Sequence, residues 1–165
     1  MRLGSALTAG LVSLACAAGA SASAPAPVAL QALLAKQIAS AKRSGIEVLI
    51  PAQLNAGLPA SHLYAAGGRS GKGYDIQLAA APGCDSATAC FVAEFWGGAG
   101  KLNLASRVTL SRGIHGAFLA SHCGASCAPA TIEWLEVGHR YTIQFQGSRA
   151  AMFALANSAI AGGPR

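Results

Sequence analysis

Four cysteines set in two close pairs, Cys84/Cys90 and Cys123/Cys127, constrain this chain more than any other feature. The fifth, Cys16, lies in an export leader that the mature protein is expected to lose. An even set of cysteines behind such a leader reads first as two disulfides. Local pairing would close two short loops, each stabilising by about 2 kcal/mol, against about 4 for a long-range bond such as Cys84–Cys127. Loop entropy therefore does not select the local pattern. Proximity during oxidation does, helped by the turn formers Pro82-Gly83 and Gly124-Ala125-Ser126, so local pairing is the expectation. The competing use is zinc, since His122 and the four thiols could fill a tetrahedral site. Structural zinc ligands, however, usually sit about two to four residues apart, and the first pair does not. Neither pair has the Cys-x-x-Cys spacing of a redox motif.

Residues 1–24 have the three parts of a secretory signal: Arg2, an apolar stretch from Leu3 to Ala20, and a run of small residues. Cleavage fits after Ala20 or after Ala24. The stretch barely reaches the roughly 20 apolar residues of a membrane span, and Gly, Ser and Thr dilute it. Ser13 stands where a lipobox before Cys16 would carry a large aliphatic residue, which argues against lipidation. The expected location is periplasmic or secreted, by bacterial-type export. Residues 25–29 read as a flexible tether and 30–163 as one domain.

Loss of the leader removes one base and no acid, so the net charge of +6 becomes +5. Charged residues make up 11% of the chain, against a usual figure of about 25%. The positive balance comes from scarce acids, and the bases are scattered, with only Lys42-Arg43 adjacent. Nucleic acid needs a concentrated basic stripe, so it is not an expected partner.

Apolar positions at Leu30, Leu33, Leu34, Ile38 and Ala41 form a helical stripe that Gly45 would stop. Ile46–Ile50 reads as a strand ended by Pro51, 62–66 as another, and 67–73 as a glycine-rich turn. Tyr74, Ile76 and Leu78 alternate with Asp75 and Gln77, the pattern of a half-buried strand. In 90–96, Phe91, Ala93 and Phe95 would share one face, with Val92, Glu94 and Trp96 on the other. Hairpins are expected at 104–120, around Ser111-Arg112-Gly113, and at 131–145, where Ile132 and Trp134 would oppose Tyr141, Ile143 and Phe145. Ser148 would cap a final helix whose stripe is Met152, Leu155, Ala156, Ala159 and Ile160. Helices at both ends of a run of hairpins give an α+β fold: an antiparallel sheet with an N-terminal and a C-terminal helix on one face, and two disulfides.

The pattern Cys123-Gly124-x-x-Cys127, Ile132-x-Trp134, Gly138-x-x-Tyr141-x-Ile143 and Leu155-Ala156-Asn157-Ser158 resembles an uncharacterised domain of exported bacterial proteins. The resemblance, over about 74–161, implies an envelope location and a sheet with a packed C-terminal helix, and carries no activity. Separately, Ser70-Gly71-Lys72-Gly73-Tyr74 is similar to the Ser-Gly-x-x-Tyr signature of the periplasmic lysozyme inhibitors of the C-type family. That likeness implies a loop entering an enzyme cleft, with Ser70, Lys72 and Tyr74 as contacts. Against it, this chain is longer than those inhibitors, and its positive charge opposes approach to a cationic lysozyme.

Catalytic patterns are thin. Gly71-Lys72-Gly73 lacks the spacing and the hydroxyl of a phosphate loop. Ser61-His62 and Ser121-His122 are sequence neighbours, which an extended chain points to opposite faces. A glycosidase needs two flanking carboxylates. Glu94, among Phe91, Phe95 and Trp96, is the most suggestive, since burial would raise its pKa; the plainer expectation is a pair with Arg107 or Arg112 across the sheet. Glu133 should meet a basic or polar partner. Trp96, Trp134 and Tyr141 either pack in the core or line a groove, and Trp96 joins Ser70, Lys72 and Tyr74 as a candidate contact. The sequence thus reads as a monomeric exported binding or accessory protein, with no cofactor or metal expected and an envelope protein or a wall or membrane component as partner. The alternatives are an inhibitor acting through Ser70–Tyr74 and a small envelope hydrolase.

Overall fold

A computed structural model of the chain describes residues 25–84, 89–124 and 126–165. The leader, with its cleavage points and Cys16, lies outside the described residues. The centre of the fold is an all-antiparallel seven-stranded sheet in the order β3-β4-β5-β11-β10-β7-β6. Its strands are β3 (Tyr64–Ser70), β4 (Gly73–Ala79), β5 (Phe91–Gly98), β6 (Arg107–Thr109), β7 (His115–Leu119), β10 (Ala130–Glu136) and β11 (His139–Phe145). Two small ribbons accompany it, β1 (Val28–Ala29) with β2 (Gln53–Leu54), and β8 (His122–Cys123) with β9 (Cys127–Ala128).

The sheet joins two meanders, β3-β4-β5 and β6-β7-β10-β11, through the pairing of β5 with β11. From the end of β5 the chain must therefore pass over β11, β10 and β7 to reach β6. Residues 99–106 make that crossing. Leu104 N–H donates to Glu133 at 2.6 Å, the Lys101 carbonyl accepts from Arg140 at 3.3 Å, and Phe118 N–H donates to the Ser106 carbonyl at 2.8 Å.

Alternation divides each strand as the sequence predicts. Tyr74, Ile76, Phe95, Ile132, Trp134, Tyr141 and Ile143 are all buried on one face, and Trp134 stacks on Tyr141 with centroids 5.6 Å apart. Their register, Ile132 opposite Ile143 and Trp134 opposite Tyr141, is the expected one. The helical segments contribute to the same buried cluster: α1 (Leu30–Leu33) through Leu30, α2 (Ala35–Ala41) through Ile38 and Ala41, with Leu34 between them, and α3 (Arg149–Gly162) through Met152, Leu155, Ala156, Ala159 and Ile160. Helix α2 contacts β3 and β4, and α3 contacts β10 and β11. Ser148 caps α3 by accepting from Ala151 N–H at 3.2 Å.

Four local expectations are corrected. The N-terminal helical stripe is broken at Leu34 into two short helices, and Gly45 ends the following 3-10 turn at φ 80°. The tether ends early, because Val28 and Ala29 pair with Leu54 and Gln53 and Val28 is buried. Ile46, Val48, Leu49 and Ile50 are buried, but the segment joins no ladder. Its backbone is satisfied instead by the Tyr74 hydroxyl, which accepts from Leu49 N–H and donates to Leu49 O, both at 3.2 Å, and by Arg165 N–H, which donates to Val48 O at 3.0 Å. The glycine-rich turn shrinks to Gly71-Lys72, since Gly67 and Gly68 belong to β3. A Cβ on Gly67 would strike the Asp75 carbonyl, and one on Gly68 would strike Ser40, so these glycines let the edge strand press against β4 and α2. Gln37 and Ser40 of α2 hydrogen-bond to the β3 backbone at Ala65 and Arg69, which blunts that edge.

Both disulfides are local, Cys84–Cys90 and Cys123–Cys127. No helix among the described residues is long and apolar enough to cross a membrane.

Candidate functional site

The other face of the sheet carries the polar members of the alternation: Asp75 and Gln77 from β4, Glu94 and Trp96 from β5, Arg140, Thr142 and Gln144 from β11, and Glu133 from β10. The crossing segment 99–106 covers its β10–β7 side, which buries Glu133 to 3% exposure. There Glu133 accepts from Leu104 N–H and pairs with Arg140 at 3.8 Å, the basic and polar partners expected of it. Arg140 in turn lies over the Trp96 ring, 4.6 Å from its centroid. The β4–β5–β11 side is left open.

That open side is concave. A recess of about 310 Å³ is lined by Gln77, Phe91, Glu94, Gln144, Gln146, Cys127 and Pro129. It shares Glu94 and Gln144 with a smaller recess of about 180 Å³ reaching Trp96, Thr142 and Arg140. It shares Gln146, Cys127 and Pro129 with a third that runs to His122 and Cys123. Phe91 is there because of a β-bulge: Leu78 pairs with Ala93 but Ala79 pairs with Phe91, so Val92 is an extra residue. The bulge turns Phe91 from the core face, where simple alternation put it, onto the face of Gln77 and Glu94. Both disulfides border this end of the sheet. Cys90 precedes Phe91 directly, and Cys127 is itself part of the wall.

At the centre, Glu94 sits opposite Gln77 on one side and Gln144 on the other. Its carboxyl is pushed up to about 7, first by burial, then by the charge of Asp75 and a hydrogen bond with it, with a hydrogen bond to Gln77 working the other way. The expected partners Arg107 and Arg112 are elsewhere: Arg107 is exposed on the edge strand β6, and Arg112 pairs with Glu136. Oδ1 of Asp75 is buried without a hydrogen-bond partner. Side chains of Thr142, Gln144 and Gln146 have no protein partner among the described residues. The contact between Glu94 and Asp75 is too close for a glycosidase pair, whose carboxyls stand about 5 Å or more apart.

The candidate contacts Ser70, Lys72, Tyr74 and Trp96 are not brought together. Ser70 and Lys72 are exposed at the tip of the β3–β4 hairpin, where Gly71 takes φ 55°. Tyr74 is wholly buried with its hydroxyl on Leu49, so a partner cannot reach it. Burial drives its ionisation far above the ordinary range. Trp96 lies on the open face, whereas Trp134 and Tyr141 are core residues. Among the described residues no cluster of three His, Cys, Asp or Glu is placed to hold a metal.

Asp75, Gln77, Phe91, Gln144 and Gln146 were not singled out by sequence reasoning. Alternation alone put Asp75, Gln77 and Gln144 on polar faces; only the pairing of β5 with β11 makes those faces one surface. A separate apolar groove of about 390 Å³, lined by Pro27, Leu54, Phe145 and Leu155 among others, lies between the β1–β2 ribbon and α3. Comparison of the chain with family profiles, curated proteins and solved structures found no match.

Proposed function

We propose that the protein is an exported binding module of the cell envelope, and that it takes its ligand on the open β4–β5–β11 face. The observation that carries this reading is the concave row of polar side chains on central strands of the sheet and just beyond β11, in which Thr142, Gln144 and Gln146 have no protein partner among the described residues, bordered by both disulfides. Central strands hold side chains more accurately than loops do, which suits binding without rearrangement. The leader and the two disulfides support an oxidising location outside the cytoplasm. The function needs no catalytic group: the site's one strongly perturbed carboxyl shares its hydrogen bonds with Asp75 and Gln77.

Co-sedimentation with isolated envelope material, walls and membranes assayed separately, tests the proposal. The native protein should sediment with one fraction, Glu94→Arg/Gln144→Arg should remain in solution, and Lys72→Ala should behave as native. Loss of binding in Lys72→Ala alone would move the site to the hairpin tip and favour an inhibitor-like role. Equal sedimentation of all three, or none by the native protein, would refute the assignment.

A further inference from the structure

We infer that the ligand of this face is a neutral oligosaccharide, bound with a sugar ring against Phe91 and its hydroxyls on Gln77, Glu94, Gln144 and Gln146. The inference rests on the proposed use of the open face and adds the ligand's chemistry. Three features select it.

The first is charge. Of the formally charged groups in the two central recesses, Glu94 forms no ion pair among the described residues, and the guanidinium of Arg140 is turned to Glu133, the Lys101 carbonyl and the Trp96 ring, with its Nε buried. Asp75, which touches Glu94, adds to the negative side. An anionic ligand would meet two neighbouring carboxyls and one guanidinium already facing Glu133, in a chain whose net charge is nevertheless +6. Phosphate-rich polymers and sulfated glycans are therefore disfavoured.

The second is the hydrogen-bonding inventory. Each glutamine amide offers two donors and an acceptor, and Thr142 offers a hydroxyl. Mixed donors and acceptors without net charge match a ligand whose own groups are hydroxyls, each both donor and acceptor. A peptide strand would seek backbone ladder groups instead, and those of the central strands are already paired on both sides.

The third is Phe91. The bulge at Val92 places an aromatic ring among the amides, and Pro129 faces the same recess. A pyranose presents a C–H face and a hydroxyl rim, and this combination serves both. The neighbouring recesses, sharing Glu94 and Gln144 on one side and Gln146 on the other, extend the surface beyond a single ring.

Titration calorimetry of the leaderless protein with chitotetraose, maltotetraose and a heparin-derived tetrasaccharide tests this directly. At least one of the neutral tetrasaccharides should bind, with Phe91→Ala and Gln144→Ala each weakening it ten-fold or more, while the sulfated one should not bind. Circular dichroism and thermal melting of both variants would confirm that they fold; if one does not, Gln144→Glu, which keeps size and adds charge, replaces it and should also weaken binding. Absence of heat with both neutral saccharides at millimolar concentration, tighter binding of the sulfated one, or binding indifferent to the substitutions would overturn the inference. Failure here with envelope co-sedimentation intact would leave the face as the binding surface and remove only the glycan; failure of both would remove the face itself.

Discussion

Replacing Glu94 by Gln should stabilise the protein above neutral pH and do little in mild acid. Glu94 titrates near 4.5 in an unfolded chain and at about 7 in the fold. Between those values the folded protein holds a proton that the unfolded chain has lost. Stability contributed by this group is therefore greatest below about pH 4.5 and falls as pH rises through about 7, the sign required when the native state binds more protons. Taken at face value the displacement corresponds to about 3 kcal/mol. Glu94 is only half-buried, so solvent screening reduces the usable figure to about 1–2 kcal/mol. Glutamine keeps the shape, stays neutral at every pH, and can donate to Asp75 where the protonated carboxyl does. Urea unfolding of native protein and Glu94→Gln, in parallel from pH 4.5 to 8.5, isolates the effect because the other titrating groups are common to both. The gap should open from near zero at pH 4.5 to about 1–2 kcal/mol in the variant's favour at pH 8. A gap that stays constant with pH, or a variant less stable at pH 8, would refute the reading of Glu94 as a group pressed against Asp75 without a cation.

Other substitutions probe the scaffold that holds the face. Val137 and Gly138 both take positive φ, 51° and 76°, in the two-residue turn between β10 and β11, a conformation that β-branched residues resist and asparagine tolerates; Val137→Asn should raise unfolding stability by about 1 kcal/mol, read by thermal melting. Glu133→Ala should cost about 3 kcal/mol, since it empties a buried polar site, strips the half-buried Arg140 of its ion-pair partner and frees the crossing segment, and hydrogen exchange should show faster exchange at Leu104 N–H. Tyr74→Phe removes the two bonds to Leu49 and should cost about 1–3 kcal/mol in urea unfolding. Gly97→Ala would drive a methyl group into the Tyr74 ring and should cost about 1–3 kcal/mol by the same assay.

The elements legible in the sequence were those whose signal is local. The stripe from Met152 to Ile160, the Ser148 cap and the Ile132/Ile143 register follow from side-chain period and turn chemistry within one short segment. So does the local pairing of the cysteines, since the members of each pair are close neighbours in sequence. Features missed depend on partners distant in the chain. Ile46–Ile50 has strand composition, yet Tyr74 and the C-terminal Arg165 take its backbone groups, which no local pattern announces. Gly67 and Gly68 look like turn residues until β4 and α2 press against them. Simple alternation sent Phe91 inward; one extra residue at Val92 reversed it. The open face needed the longest-range fact of all, the pairing of β5 with β11. That pairing sets Gln144 beside Glu94 and sends residues 99–106 over one half of the sheet, leaving the other half bare. Glu94 was legible as perturbed, but its neighbour turned out to be Asp75 rather than an arginine.

The side-chain amide resonances of Gln77, Gln144 and Gln146 in a ¹⁵N-edited NMR spectrum, followed as chitotetraose and, separately, maltotetraose are added, test most directly the claim that the face takes a neutral glycan. They should move together and saturate, while those of Gln31, Gln37 and Gln53, away from the open face, stay fixed. Movement confined to Gln31, Gln37 or Gln53, or no movement with either tetrasaccharide at millimolar concentration, would contradict it.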